Sequence, residues 1–174
     1  MSKMDSLKAA AIVRDAGGCI PGRTRLQKVA YLLSVAGLED QFKFTYWNYG
    51  PFSETLAVAT RQASLFGLLK ETEMPTNWGG IYSTYEIVRP QTGETEPVPS
   101  ARLRLAKEAA AANAVELELA ATAVFLAIEK FDDPWGETVR RKPEKADNGR
   151  IERARILYRN LCAIETPVRL PEIA

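Results

Sequence analysis

Between Asn113 and Phe131 the chain carries a segment that is apolar on nearly every face of a helix. Leu117, Ala121, Val124, Ile128 and Phe131 form one stripe, and Leu119, Ala120, Ala123, Leu126 and Ala127 fill most of the remainder. A helix with almost no polar face belongs at the centre of a core or in an interface between two copies of the chain. Its longest uncharged run, Leu119 to Ile128, has only ten residues, far short of the roughly 20 needed to cross a bilayer. Asn113 followed by Glu116 has the spacing of a capping box, and Asp132, Asp133 and Pro134 give a stop. The rest of the sequence therefore has to supply the elements that surround this helix.

Several segments can do so. Ser6 to Ala16 reads as a short helix closed by Gly17 and Gly18, and Thr24 to Ala36 as an amphipathic one, with Leu26, Val29, Ala30, Leu33 and Ala36 in helical register before Gly37. Phe42 to Trp47 alternates aromatic and polar residues like a short strand, until Asn48, Gly50 and Pro51 break it. Ser53 is an N-cap for a third helix, with Glu54 in its first turn and Leu56, Ala59, Ala63 and Phe66 on its apolar face. Leu68 to Glu73 and Ile81 to Val88 read as strands joined through the turn MPTNWGG. Helix, helix, short strand, helix and hairpin is the order of a winged helix.

The expected fold is thus mainly α with a small β-hairpin. It comprises a winged-helix-like part over residues 1–89, a Pro-, Thr- and Glu-rich linker at 90–100, and a helical part over 101–174 that packs on the first. Within that last part Ser100 is positioned to cap a helix from Ala101 to about Ala112, and Arg150 to Ile164 forms the final helix. No internal repeat is found.

The 174 residues contain no histidine and two cysteines. Ser-His-Asp and Cys-His nucleophiles, histidine bases and imidazole zinc sites are thereby excluded, as is a four-thiolate site. Neither a phosphate-binding glycine loop nor a recognisable carboxylate pair is present, so no catalytic residues, cofactor or metal are expected. Cys19 lacks an activating base and reads as a small buried hydrophobe. With no signal sequence and no disulfide framework, a cytoplasmic setting is expected.

Formal charge is only +1 overall but is unevenly distributed. Residues 1–70 hold nine basic and five acidic side chains, residues 71–131 five and nine, and residues 139–159 eight and three. Three surfaces follow as candidates. Arg23, Arg25 and Lys28 suit phosphate or partner binding, or form a solvated helix face. Tyr46, Trp47, Tyr49, Pro51 and Phe52 pack locally or form an aromatic recognition surface. Arg140, Arg141, Lys142 and Lys145 contact nucleic acid or an acidic protein, or pair with the acidic middle of the same chain. On the third helix Arg61 and Gln62 face a DNA groove in the winged-helix reading, but Glu54 at its leading end would repel phosphate.

Two stretches taken together, RLQKVAYLLSVAG and NYGPFSETLAVATRQASLFGLL, resemble the YwgA-like and SocA (Panacea) antitoxin-domain superfamily. There a helix of the type LQKLLY is followed by YGPFS and by a helix ending in GL[IL]. Leu26, Gln27, Lys28 and Tyr31, with Tyr49, Gly50, Pro51, Phe52 and Ser53, are the matching positions, in a stretch from about Arg25 to Leu69. The resemblance implies a small cytoplasmic prokaryotic or phage-borne protein encoded beside a toxin or defence gene, which contacts the toxin or presents it to a protease. The expectation is accordingly a non-enzymatic, antitoxin-like module binding a partner protein through Tyr49–Ser53 and Arg23, Arg25 and Lys28. The alternative is a DNA-binding winged-helix regulator using Arg61, Gln62 and the Arg140–Lys145 patch.

Overall fold

The computed structural model describes residues 3–88 and 97–174, so most of the expected linker, residues 90–96, lies outside the described residues. The chain is mainly helical with a small amount of antiparallel β-structure. Its first part runs α1 (Lys3–Asp15), β1 (Cys19–Pro21), α2 (Arg23–Val35), β2 (Thr45–Trp47), β3 (Gly50–Phe52), α3 (Glu54–Leu65), β4 (Leu69–Pro75) and β5 (Ile81–Ile87). The second part is α4 (Ser100–Ala111), α5 (Ala114–Ile128), α6 (Pro134–Arg141), α7 (Pro143–Ala146) and α8 (Arg150–Cys162).

The three-stranded sheet has the order β1-β5-β4, with both pairings antiparallel. Together with α1, α2 and α3 this is the winged-helix arrangement, with β4 and β5 as the wing. A second antiparallel pair, β2-β3, is inserted between α2 and α3. The expected strand from Phe42 begins only at Thr45, because Phe42 is buried and Phe44 packs edge-on to Tyr31 before the ladder starts.

One apolar core joins the two parts. Ala9, Ile12 and Val13 of α1, Val29, Leu32 and Leu33 of α2, and Leu56 and Ala59 of α3 share it with Leu105 of α4, Leu117, Ala121 and Val124 of α5 and Leu161 of α8. Helix α5 lies where its composition requires, packed by α2, β3, α6 and α8, and needs no second copy of the chain to bury it. It ends earlier than expected, since Lys130 adopts φ 67° and Phe131 is left partly exposed. Its cap also differs from a reciprocal box. Asn113 accepts from the N–H groups of Val115 and Glu116, but the Glu116 carboxylate is engaged by Arg153 instead. At α4 the cap position is Pro99, with Ser100 already in the helix.

Two arginines fasten the parts polarly. Arg102 of α4 donates to the buried Asp15 carboxylate at 2.6 Å and reaches Glu39. Arg25 of α2 donates to the carbonyls of Ala110 and Ala112 at the C-terminal end of α4, where orphaned carbonyls and the helix dipole favour a cation. Cys19 is exposed, contrary to the buried position expected, because Ile20 and not Cys19 takes the inward side of the short β1.

Candidate functional site

The hairpin β2-β3 and the turn after it are tied to α2 by side-chain to backbone bonds. Gln27 donates from Nε2 to the Ser53 carbonyl at 3.0 Å and accepts the Ser53 N–H at 2.8 Å. Lys28 Nζ donates to the Pro51 carbonyl at 2.8 Å. Ser53 then caps α3, its Oγ accepting from the Leu56 N–H, as the sequence indicated. Gly50 has φ +94°, and a Cβ built on it would lie 2.6 Å from Thr122 Oγ1 on α5, so only glycine fits there without strain. The two segments that carry the antitoxin-domain resemblance are thus bonded to each other.

Lys28 is 1% exposed and sits in an unusual charge cluster. Glu118 of α5, itself buried, is paired with Lys145 at 2.7 Å and with Lys142 at 3.4 Å, and Lys142 also reaches the Asn48 carbonyl. Burial drives the Lys28 amine down from 10.5 to about 7; Glu118 opposes the shift, while Lys142 and Lys145 add to it. One carboxylate therefore pairs with two lysines and acts on the third only at longer range. Tyr49 lies beneath this cluster, with Lys145 Nζ 4.6 Å from its ring centre. The cluster holds residues 48–51 against α5 and the start of α7, and the Lys28 amine inside it is shielded from solvent.

These positions change the expected contact surface. Lys28, Gly50, Pro51 and Ser53 are buried, and Phe52 is half-buried under the Trp47 ring, so their side chains hold the fold and are not offered to a partner. Arg25 is half-buried at the end of α4. Of the expected set only Tyr49 and Arg23 are exposed, and Arg23 is engaged with Glu71 and Glu73. The sequence gives no sign of this burial, because the polar positions of α2 face elements that come from far along the chain.

The basic run after Phe131 forms α6, α7 and the start of α8. Arg140 and Arg141 both pair with Glu137 of their own helix, which holds that carboxyl below its ordinary range. Arg141 also lies over the rings of Tyr46 and Phe131. Lys142 and Lys145 go to Glu118, and Arg153 to Glu116, which is pairing with the acidic middle of the chain. Helices α6 and α7 pack on α5 and α8, whereas Arg61 and Gln62 are on α3, which packs on α1 and β4. Arg61 is exposed and Gln62 half-buried.

The wing, expected as a hairpin, carries an exposed apolar tip that was not among the expected contact surfaces. Trp78 is 83% exposed at its tip, with Ile81 at 63%, Met74 at 57% and Tyr82 at 40% beside it. At its base Leu65 and Phe66 end α3 and are also exposed, so Phe66 does not join the apolar face expected of that helix. The tip is held by Thr76, whose N–H and hydroxyl both donate to the Gly80 carbonyl. Around these apolar residues the wing strands carry Lys70 against Glu71, Glu73 and Glu86. A tryptophan inside a Gly- and Asn-rich turn was the available signal, since such a turn gives the ring nothing to pack against.

No helix among the described residues is long and apolar enough to cross a membrane. No family model matches the chain, and none of the curated proteins or solved structures compared with it matches either.

Proposed function

We propose that this chain is a non-enzymatic, cytoplasmic interaction module of antitoxin-like type, which binds a partner protein such as a neighbouring toxin through the wing. The observation that carries the reading is the group of exposed Met74, Trp78, Ile81 and Tyr82 on a wing with an acidic excess. Exposed large apolar side chains clustered on a projecting element favour a protein partner, where a tryptophan is a typical anchor. Nucleic acid fits the same surface poorly. Binding there would set phosphates against Glu71, Glu73 and Glu86, with Arg61 as the main exposed cation of α3.

The test is co-expression with the product of the adjacent reading frame. The expected outcome is a stable complex that persists at moderate salt, with growth restored if that product is toxic. A harmless neighbour that does not co-purify removes the reading. Retention of the chain on duplex DNA, with affinity falling by orders of magnitude as salt rises, would establish the regulator in its place.

A further inference from the structure

We propose that β4 is a docking strand, whose open edge pairs with an extended segment of the partner protein bearing lysine or arginine at alternate positions. The proposal rests on the protein-binding reading above and adds the chemistry of the partner. In the sheet, β5 is central, β1 covers one side of it and β4 forms the other edge.

The register fixes which backbone groups are free. Val88 N–H donates to the Leu68 carbonyl, and Thr76 N–H to that of Gly80. Bonded pairs alternate along an antiparallel ladder, so Lys70, Thr72 and Met74 bond to Glu86, Thr84 and Tyr82 across it. Glu71 and Glu73 therefore turn their N–H and C=O groups away from β5, and Pro75 turns its carbonyl. Among the described residues no other element bonds to the Glu71 or Glu73 backbone. Edges of this kind are ordinarily guarded by brevity, bulges, lysine or proline. Here the pairing is continuous from Leu69 to Pro75, and the guards are Lys70 and the terminal Pro75.

The side chains along the edge set the sign of the partner. Glu71 and Glu73 share one face, and Arg23 reaches them through a single nitrogen at 3.4 and 3.2 Å, which leaves that face with a net negative charge. On the other face Lys70 stands opposite Glu86 and the two offset each other. A second copy adding β4 to β4 would set these glutamates against their own counterparts, which is unfavourable for directly opposed residues. A strand with alternate cations meets them with opposite charge, and Met74 and Trp78 at the far end of the edge supply apolar contact.

The probe is an acetylated and amidated peptide of alternating lysine and valine, added to the full chain and read by residue-resolved amide hydrogen exchange. In the free chain the Glu71 and Glu73 amides should exchange faster than those of Lys70, Thr72 and Met74. With peptide, exchange at Glu71 and Glu73 should slow by at least about tenfold, while a peptide of the same sequence methylated on alternate backbone nitrogens gives no protection. Glu73→Pro removes one outward N–H and no ladder bond. It should abolish the protection while Thr72 and Met74 stay slow, which shows that the wing is intact. Absence of protection, or equal protection by the methylated peptide, overturns the docking strand. A partner complex that forms equally well with Glu73→Pro overturns the strand and leaves the protein-binding reading standing; absence of any partner complex overturns both.

Discussion

Raising the pH from about 7 to about 8.5 should stabilise this protein, and Lys28 is the reason. Its amine titrates near 10.5 when unfolded and at about 7 in the fold, principally because burial penalises the ammonium form. Between those two values the unfolded chain binds more protons than the folded one, so stability rises with pH across that window and the penalty is complete only below about 7. At about 1.36 kcal/mol per proton and pH unit, and with the folded amine half-protonated at the start, the gain over this interval is about 1.5 kcal/mol. Equilibrium urea unfolding at the two pH values measures it directly. The raised values of Tyr31, Tyr85 and Tyr158 act in the opposite direction only as pH rises beyond the interval, whereas the raised Cys162 thiol, whose ordinary value of 9.0 lies just above it, already offsets at most a few tenths of a kcal/mol by about pH 8.5. Lys28→Met removes the titrating group and should flatten the dependence to below about 0.5 kcal/mol. A wild-type stability that is level or falls over this range, or a Lys28→Met variant that keeps the slope, would refute the buried-amine argument.

Other substitutions probe the same loop. Gly50→Ala forces a side chain into the left-handed region and against Thr122 Oγ1, at a combined cost of about 2–5 kcal/mol in urea unfolding. Thr122→Ala in the same chain should recover about 1–3 kcal/mol of that, because the hydroxyl it deletes is buried and without a partner; additive effects would show that the contact is absent. Gln27→Leu leaves the Ser53 N–H buried without its partner, while the Ser53 carbonyl keeps the Ala57 N–H, and should destabilise by about 1–3 kcal/mol, while Tyr49→Phe should change unfolding by less than about 0.5 kcal/mol, as at most exposed positions.

Elements with their own local signals were legible in the sequence. Ser53 and Asn113 carry oxygens that find the first free N–H groups of α3 and α5, Gly37 and Gly67 close α2 and α3, and the even apolarity of α5 required a central position. β1 was not legible, because three residues are too few to display alternation and its pairing with β5 is entirely non-local. Helix α6 was hidden by a double signal. Asp133 and Pro134 end one helical segment, but they also start the next, with Asp133 accepting the Gly136 N–H and Pro134 in the first turn; Trp135, Thr138 and Lys142 then follow at helical spacing as its buried side.

The site was harder to read for a related reason. Arg25 and Lys28 occupy polar positions of an amphipathic helix, and on α2 alone they look solvated. The groups that engage them lie far away in sequence, Ala110 and Ala112 in one case and Pro51 and Glu118 in the other, so only the fold reveals that these cations serve it internally. The wing was misjudged in the opposite sense, since a turn and two strands announce themselves by pattern whereas the exposure of Trp78 depends on nothing packing over the tip.

The most direct test of a wing-mediated contact sets the two exposed tryptophans against each other in the complex with the neighbouring gene product. Trp78→Ala should weaken the dissociation constant at least about tenfold, the effect of losing an anchor worth about 1.4 kcal/mol or more, whereas Trp47→Ala on the β2-β3 hairpin should change it by less than about threefold. The reverse order, with Trp47 carrying the affinity and Trp78 dispensable, would contradict the assignment and return the contact to the loop around Tyr49.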